Sequence, residues 1–79
     1  MHGGEQARPS IILSARNYLR GEIVAITRDG LMAEVELAIG DQRLVSVITR
    51  SSADRLGLII GRPVFAIVKA TEVMIGTEE

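Results

Sequence analysis

Residues 21–49 read GEIVAITRDGLMAEVELAIGDQRLVSVIT, and this stretch decides the fold. Its centre alternates: Leu31, Ala33, Val35, Leu37 and Ile39 fall on one face, and Met32, Glu34, Glu36 and Ala38 on the other. A period of two marks a half-buried strand. Asp29-Gly30 ahead of it suits the positive backbone angles of a tight hairpin turn. Gly40-Asp41 behind it makes a second turn, and QRLVSVIT continues as a third strand. Three strands joined by two short turns predict an antiparallel meander.

The pattern changes on either side. SSADRLG, residues 51–57, opens with serines, places Asp54 three positions after Ser51 and closes on Gly57. That is a capping-box start and a glycine stop, predicting a helix of one or two turns. LIIGRP connects it, with a turn at Gly61, to PVFAIVKATEVMI at 63–75. This last run predicts one strand or a pair, apolar on both faces except at Lys69, Thr71 and Glu72. Upstream, the chain is strand-like from Ser10, and Ile11-Ile12-Leu13 precede a polar patch, SARNYLRG at 14–21. Residues 1–9, MHGGEQARP, combine paired glycines, charge and a proline, and are expected to be a flexible tail ahead of a single domain at 10–79. About five short strands with one small helix predict an all-β fold, a five-stranded Greek-key barrel of the oligonucleotide/oligosaccharide-binding (OB) kind.

Composition narrows the functional classes. The chain has 79 residues, no cysteine and one histidine, His2. Disulfides and thiolate metal sites are therefore excluded. A chain this short buries a modest share of its surface, and without other staples it is expected to gain stability by self-association. Strands apolar on both faces point the same way, because a subunit interface would cover them. With net charge −1 and two aromatics, Tyr18 and Phe65, the chain lacks the basic excess and stacking rings of a nucleic-acid binder. No apolar run approaches the roughly 18 residues a membrane span needs, and no signal-peptide pattern opens the chain. The expectation is a soluble cytoplasmic protein.

Three polar clusters interrupt the apolar pattern: Ser14, Arg16 and Asn17; Thr49, Ser51 and Ser52; Lys69 and Thr71. Each has an ordinary reading. The hydroxyls would cap the helix, Lys69 would extend its ammonium to solvent from an edge strand, Arg16 would pair with a surface carboxylate, and Asn17 would close a turn. Together they form a set of hydrogen-bond donors: two cations, several hydroxyls, an amide and the first N–H groups of a helix. Such a set suits a small multivalent oxyanion, whereas a metal cation would require carboxylates, histidines or thiolates. No nucleophile–base set can be assembled beyond an improbable pairing of Ser14 with Lys69, so no catalytic residues are assigned. No phosphate-cradling loop is present either, since Gly3-Gly4 lacks the lysine and spacing it needs.

SARNYLRG, ITRSSADRLGL at 48–58 and VKATEVMI at 68–75 resemble the signature segments of the molbindin family. These are the small molybdate-binding Mop domains, related to the TOBE domains of transport ATPases and molybdate-sensing regulators. The resemblance runs from Ile12 to Ile75. It implies the OB-type barrel and a homo-oligomer, a hexamer built as a trimer of dimers. It also implies molybdate or tungstate as ligand, bound between subunits for storage or homeostasis, with no cofactor and no reaction. Carried onto this chain, it puts Ser14, Arg16 and Asn17 at the start of the pocket, with Lys69, Ala70 and Thr71 closing it. Thr49 and Ser51 or Ser52 would reach the anion from the neighbouring subunit. Tyr18 and Arg20 depart from the common pattern, as does the N-terminal extension, and none of these removes an implied ligand. The alternative is an OB-like interaction or regulatory module for single-stranded nucleic acid or a protein partner, its anion site vestigial.

Overall fold

The computed structural model describes residues 16–78. Ser14, the 10–13 segment and the tail at 1–9 lie outside them. Four strands follow in order: β1 (Asn17–Asp29), β2 (Met32–Ile39), β3 (Gln42–Thr49) and β4 (Pro63–Val68). Helix α1 (Arg50–Arg55) stands between β3 and β4, and one 3₁₀ turn, Ala70–Glu72, follows β4. The sheet order is β3-β2-β1-β4, antiparallel throughout.

β1 begins at Asn17, six residues before the apolar run at 23–26, so residues 17–21 of the polar patch make up most of the first half of this 13-residue strand. That half is held by β4: Asn17 pairs with Val68, and the ladder continues to Glu22 opposite Pro63. From Glu22 to Asp29 the strand pairs instead with β2. At the changeover, Ile23 N–H donates to Arg62 O at 3.1 Å and Gly61 N–H donates to Ile23 O at 2.7 Å. The register then slips between Ile23 and Ala25, leaving Val24 as the extra residue of a β-bulge. A bulge bends a strand and increases its twist, and here it also resets which side chains point inward. Ile23 stands opposite Leu37 and Ile26 opposite Val35, so both reach the same core despite an odd spacing. The sheet consequently curls into a half-barrel. Gly21 lies at the tightest point: a Cβ there would stand 2.9 Å from Ala38 O, so any side chain would push β2 away.

Ile23, Val35 and Leu37 are the buried centre, flanked by Ile26, Ile39, Leu44, Ile48, Leu58, Val64 and Ala66. The alternation read from residues 31–39 holds for Ala33, Val35, Leu37 and Ile39. It fails at Leu31, which is 85 % exposed. The first hairpin turns on Gly30-Leu31, not Asp29-Gly30, because Asp29 still pairs with Met32. Gly30 and Gly40, each the first central residue of its turn, have φ of 62° and 61°. Glycine in that place fits the twist of a two-residue hairpin.

The helix is capped two residues earlier than its predicted box. Thr49, not Ser51, is the N-cap, its hydroxyl accepting from Ser52 N–H at 3.1 Å. Asp54 is released from capping and accepts from Arg28 Nη2 at 3.3 Å. The glycine stop is as read: Gly57, at φ 67°, closes a Schellman motif in which Leu58 N–H donates to Ala53 O and Gly57 N–H to Asp54 O. The last predicted strand is shorter than expected. β4 ends at Val68, Lys69 leads into the 3₁₀ turn, and residues 73–78 form no regular structure. Four strands rather than five therefore make up the described sheet, in an all-β arrangement with one short α-helix. Between its two edges, β3 and β4, lies a concave apolar trough of about 650 Å³, walled by residues such as Leu44, Ile48, Leu58, Val64, Ala66 and Val68.

Candidate functional site

The polar candidates gather at two places. The first is the open end of the β1–β4 ladder. Asn17, half-buried, donates from Nδ2 to Val68 O at 3.1 Å and ties the last rung. One step further out, the two strands continue into Arg16 and Lys69, both exposed. Neither makes an ion pair with another described residue. Lys69 has extended backbone angles and its carbonyl accepts from Glu72 N–H at 2.9 Å, closing the turn that carries Ala70 and Thr71. Two like charges are thus brought to one edge with donors around them. Neighbouring cations repel, and an anion between them would offset both. Glu72 is the one acidic residue of this turn, and it is exposed.

The second place is the end of β3. Thr49 Oγ1 lies 2.7 Å from Ser52 Oγ and donates to it, while Ser51 Oγ stands 3.4 Å away. Counting protons distinguishes the serines. Thr49 spends its only proton on Ser52 and accepts from the Ser52 amide, so Ser51 can bond it only as donor. Ser52 alone keeps a hydroxyl proton for another partner. Arg50, between them at the first helical position, is an exposed cation that the sequence reading passed over; its place inside the hydroxyl run was the available signal.

These two clusters sit at opposite ends of β1. Thr49 pairs with Met32, which pairs with Asp29, whereas Asn17 begins the strand. At about 3.3 Å per residue the strand's contour is roughly 40 Å, against a few ångströms for a tetrahedral oxyanion. α1 packs on β2 and β3, while β4 packs on β1. The structure brings Arg16, Asn17, Lys69, Ala70 and Thr71 together, and separately Thr49, Ser51 and Ser52. It does not join the two groups within one copy. The apolar trough contains none of these residues. Among the described residues, no cluster of three or more histidines, cysteines or carboxylates could hold a metal ion, and no helix is long and apolar enough to cross a membrane.

A half-barrel of this topology with its donors at the strand ends defines a class of small β-domains. The chain belongs to the TOBE domain family, whose pattern it matches over residues 13–75. It is 37 % identical over 67 residues to a probable molybdenum-pterin-binding protein of Haemophilus influenzae, covering 84 % of this chain and 97 % of that one. Its fold matches a molybdate-binding protein from Sporomusa ovata with a TM-score of 0.81 at 33 % identity, over 85 % of this chain and all of the other. A cytoplasmic molybdate-binding protein, ModG, solved with molybdate bound, matches with a TM-score of 0.73 at 35 % identity, over 77 % of this chain and 44 % of that one.

Proposed function

We propose that this protein binds molybdate or tungstate and serves storage or homeostasis of the oxyanion in the cytoplasm, without acting on it chemically. The observation that carries this reading is the pair of cations at one strand edge, Arg16 and Lys69, neither with a carboxylate partner among the described residues. In the proposed pocket they supply charge, the Asn17 amide lies beside them, Ser14 adds a hydroxyl from outside the described residues, and Ala70 and Thr71 close it through backbone N–H and hydroxyl. Thr49 and Ser52 come from a neighbouring copy, since within one chain they stand at the far end of β1. The protein is then a homo-oligomer, a hexamer arranged as a trimer of dimers, in which each pocket is completed by assembly. Ligand that binds only the assembled form stabilises it by mass action. The similarity to a molybdate-binding protein over the whole of that chain supports the choice of ligand.

Isothermal titration with molybdate, with and without excess sulfate, on protein whose mass is fixed by light scattering tests the reading. Saturable binding that survives sulfate, on an oligomer, is the expected result. No binding heat, or binding abolished by sulfate, overturns the ligand and leaves an interaction module.

A further inference from the structure

All but one of the polar side chains at the open end of the β1–β4 ladder can donate a hydrogen bond: the Arg16 guanidinium, the Asn17 amide, the Lys69 ammonium and the Thr71 hydroxyl. The exception is Glu72, the one acidic residue of the 3₁₀ turn. Its N–H donates to Lys69 O at 2.9 Å, and a turn closed in this way holds its first and fourth Cα atoms within about 7 Å. Residues three apart in a 3₁₀ turn also lie over one another. The carboxylate is therefore carried back beside the ammonium. Both side chains are exposed, and neither makes an ion pair with another described residue. The turn itself does not require the acid, because its closing bond uses backbone atoms and no side chain caps it. A pocket that only had to hold an anion as tightly as possible would have no carboxylate here, since it repels the ligand and competes for its cation.

We propose that Glu72 sets the affinity of the oxyanion pocket, holding it below what Arg16 and Lys69 would give without it, so that bound anion can leave. This rests on the pocket proposed above and names the residue that regulates it. Before the anion enters, Glu72 is the counter-ion that Lys69 can reach within its own turn. On entry the dianion displaces it, and the carboxylate is left beside a ligand of its own sign. Formal charge at this end is +2 from Arg16 and Lys69, and +1 once Glu72 is counted. A protein that stores an ion must also give it up. A fixed repulsive charge weakens binding without altering the contacts that select the ion, and it acts alike on anions of equal charge.

Titration calorimetry of the full-length protein with molybdate, at low and high ionic strength, tests this. Glu72→Gln keeps the shape and removes the charge, and should bind molybdate roughly tenfold tighter at low salt, with Glu72→Lys tighter still. Glu72→Asp keeps the charge and should stay near the parent. The gain should shrink in about 0.5 M salt, which screens exposed charges. Tungstate should gain by the same factor as molybdate. Asp41→Asn removes an exposed carboxylate in the second hairpin, away from the pocket, and should leave the affinity unchanged. Parental affinity in Glu72→Gln overturns the proposal. So does weaker binding, which would make the carboxylate part of the pocket's structure. An equal gain from Asp41→Asn also overturns it, because net charge and not position would then be responsible. In each of these results the parent still binds, and the pocket stands. A parent that gives no binding heat removes the pocket and this proposal with it.

Discussion

The two halves of β1 belong to different kinds of structure. From Glu22 to Asp29 the strand is enclosed at its core: β2 covers one edge and Ile23 is fully buried, although Thr27, Arg28 and Asp29 are exposed, and Thr49 and Ser52 at the adjoining end of β3 bond one another. From Asn17 to Glu22 it is open: it pairs with β4, and one step beyond that ladder stand two cations, Arg16 and Lys69, with no partner among the described residues. The hydroxyls of Thr49, Ser51 and Ser52 are already explained by helix capping. Arg16 and Lys69 have no such internal explanation. The enclosed half therefore carries stability, and the open half carries what the chain has left for a ligand or another copy.

The sharpest way to break this division is at its boundary. Ile23→Ala removes the fully buried side chain at the bulge and should cost about 3 kcal/mol of stability, read as a lower urea midpoint at fixed protein concentration. A small loss would mean that the core is supplied mainly by assembly. Next in size, Lys69→Ala and Arg16→Ala should each weaken molybdate binding roughly 10- to 100-fold, the equivalent of a charge-assisted hydrogen bond at about 1.5–3 kcal/mol. Their urea midpoints should stay near that of the parent. Unchanged affinity in both would remove the pocket from this end of the sheet.

Thr49→Ala tests the other end. Losing the N-cap should cost about 1 kcal/mol of stability, and Thr49→Ser should recover most of it. If the hydroxyl cluster also meets the anion from a neighbouring copy, Ser52→Ala weakens binding severalfold while Ser51→Ala leaves it nearly unchanged, because only Ser52 has a proton to spare. Titration calorimetry on the two serine variants separates them. Equal effects would mean that the hydroxyls act only through the helix.

The meander was legible because residues 33–37 alternate without exception and glycine stands at both hairpins. The one-residue shift of the first turn was not. Only the pairing of Asp29 with Met32 across the sheet decides it, and that is a non-local interaction. The bulge at Val24 was hidden for a similar reason. IVAI reads equally well in either phase, and the choice follows from which residues of β2 stand opposite. The candidate residues were all legible as types. Their division into two distant groups was not, since it depends on β1 running unbroken from Asn17 to Asp29 and changing partners midway. The final strand was overread because apolar residues return after Val68, at Ala70 and 73–75, although the sheet does not continue.

Asp54 gives the finest test of the same lesson. Three residues after Ser51, it reads as the acid of a capping box. In the structure it faces Arg28 instead, at 3.3 Å, with side chains 34 % and 60 % exposed. Arg28 reaches it because the bulge puts Arg28 on the core side of β1, opposite Ala33, where α1 packs. A capping acid and a surface ion pair differ in what their loss does. Asp54→Asn in a capping box would cost about 1 kcal/mol. An exposed pair is worth about 0.2–1 kcal/mol at low salt and less as salt screens it. We expect the small loss, matched by Arg28→Gln and fading by 0.5 M salt. A larger, salt-independent loss for Asp54→Asn alone would return the residue to the helix terminus. The enclosed half of β1 would then owe less to its bulge than the geometry indicates.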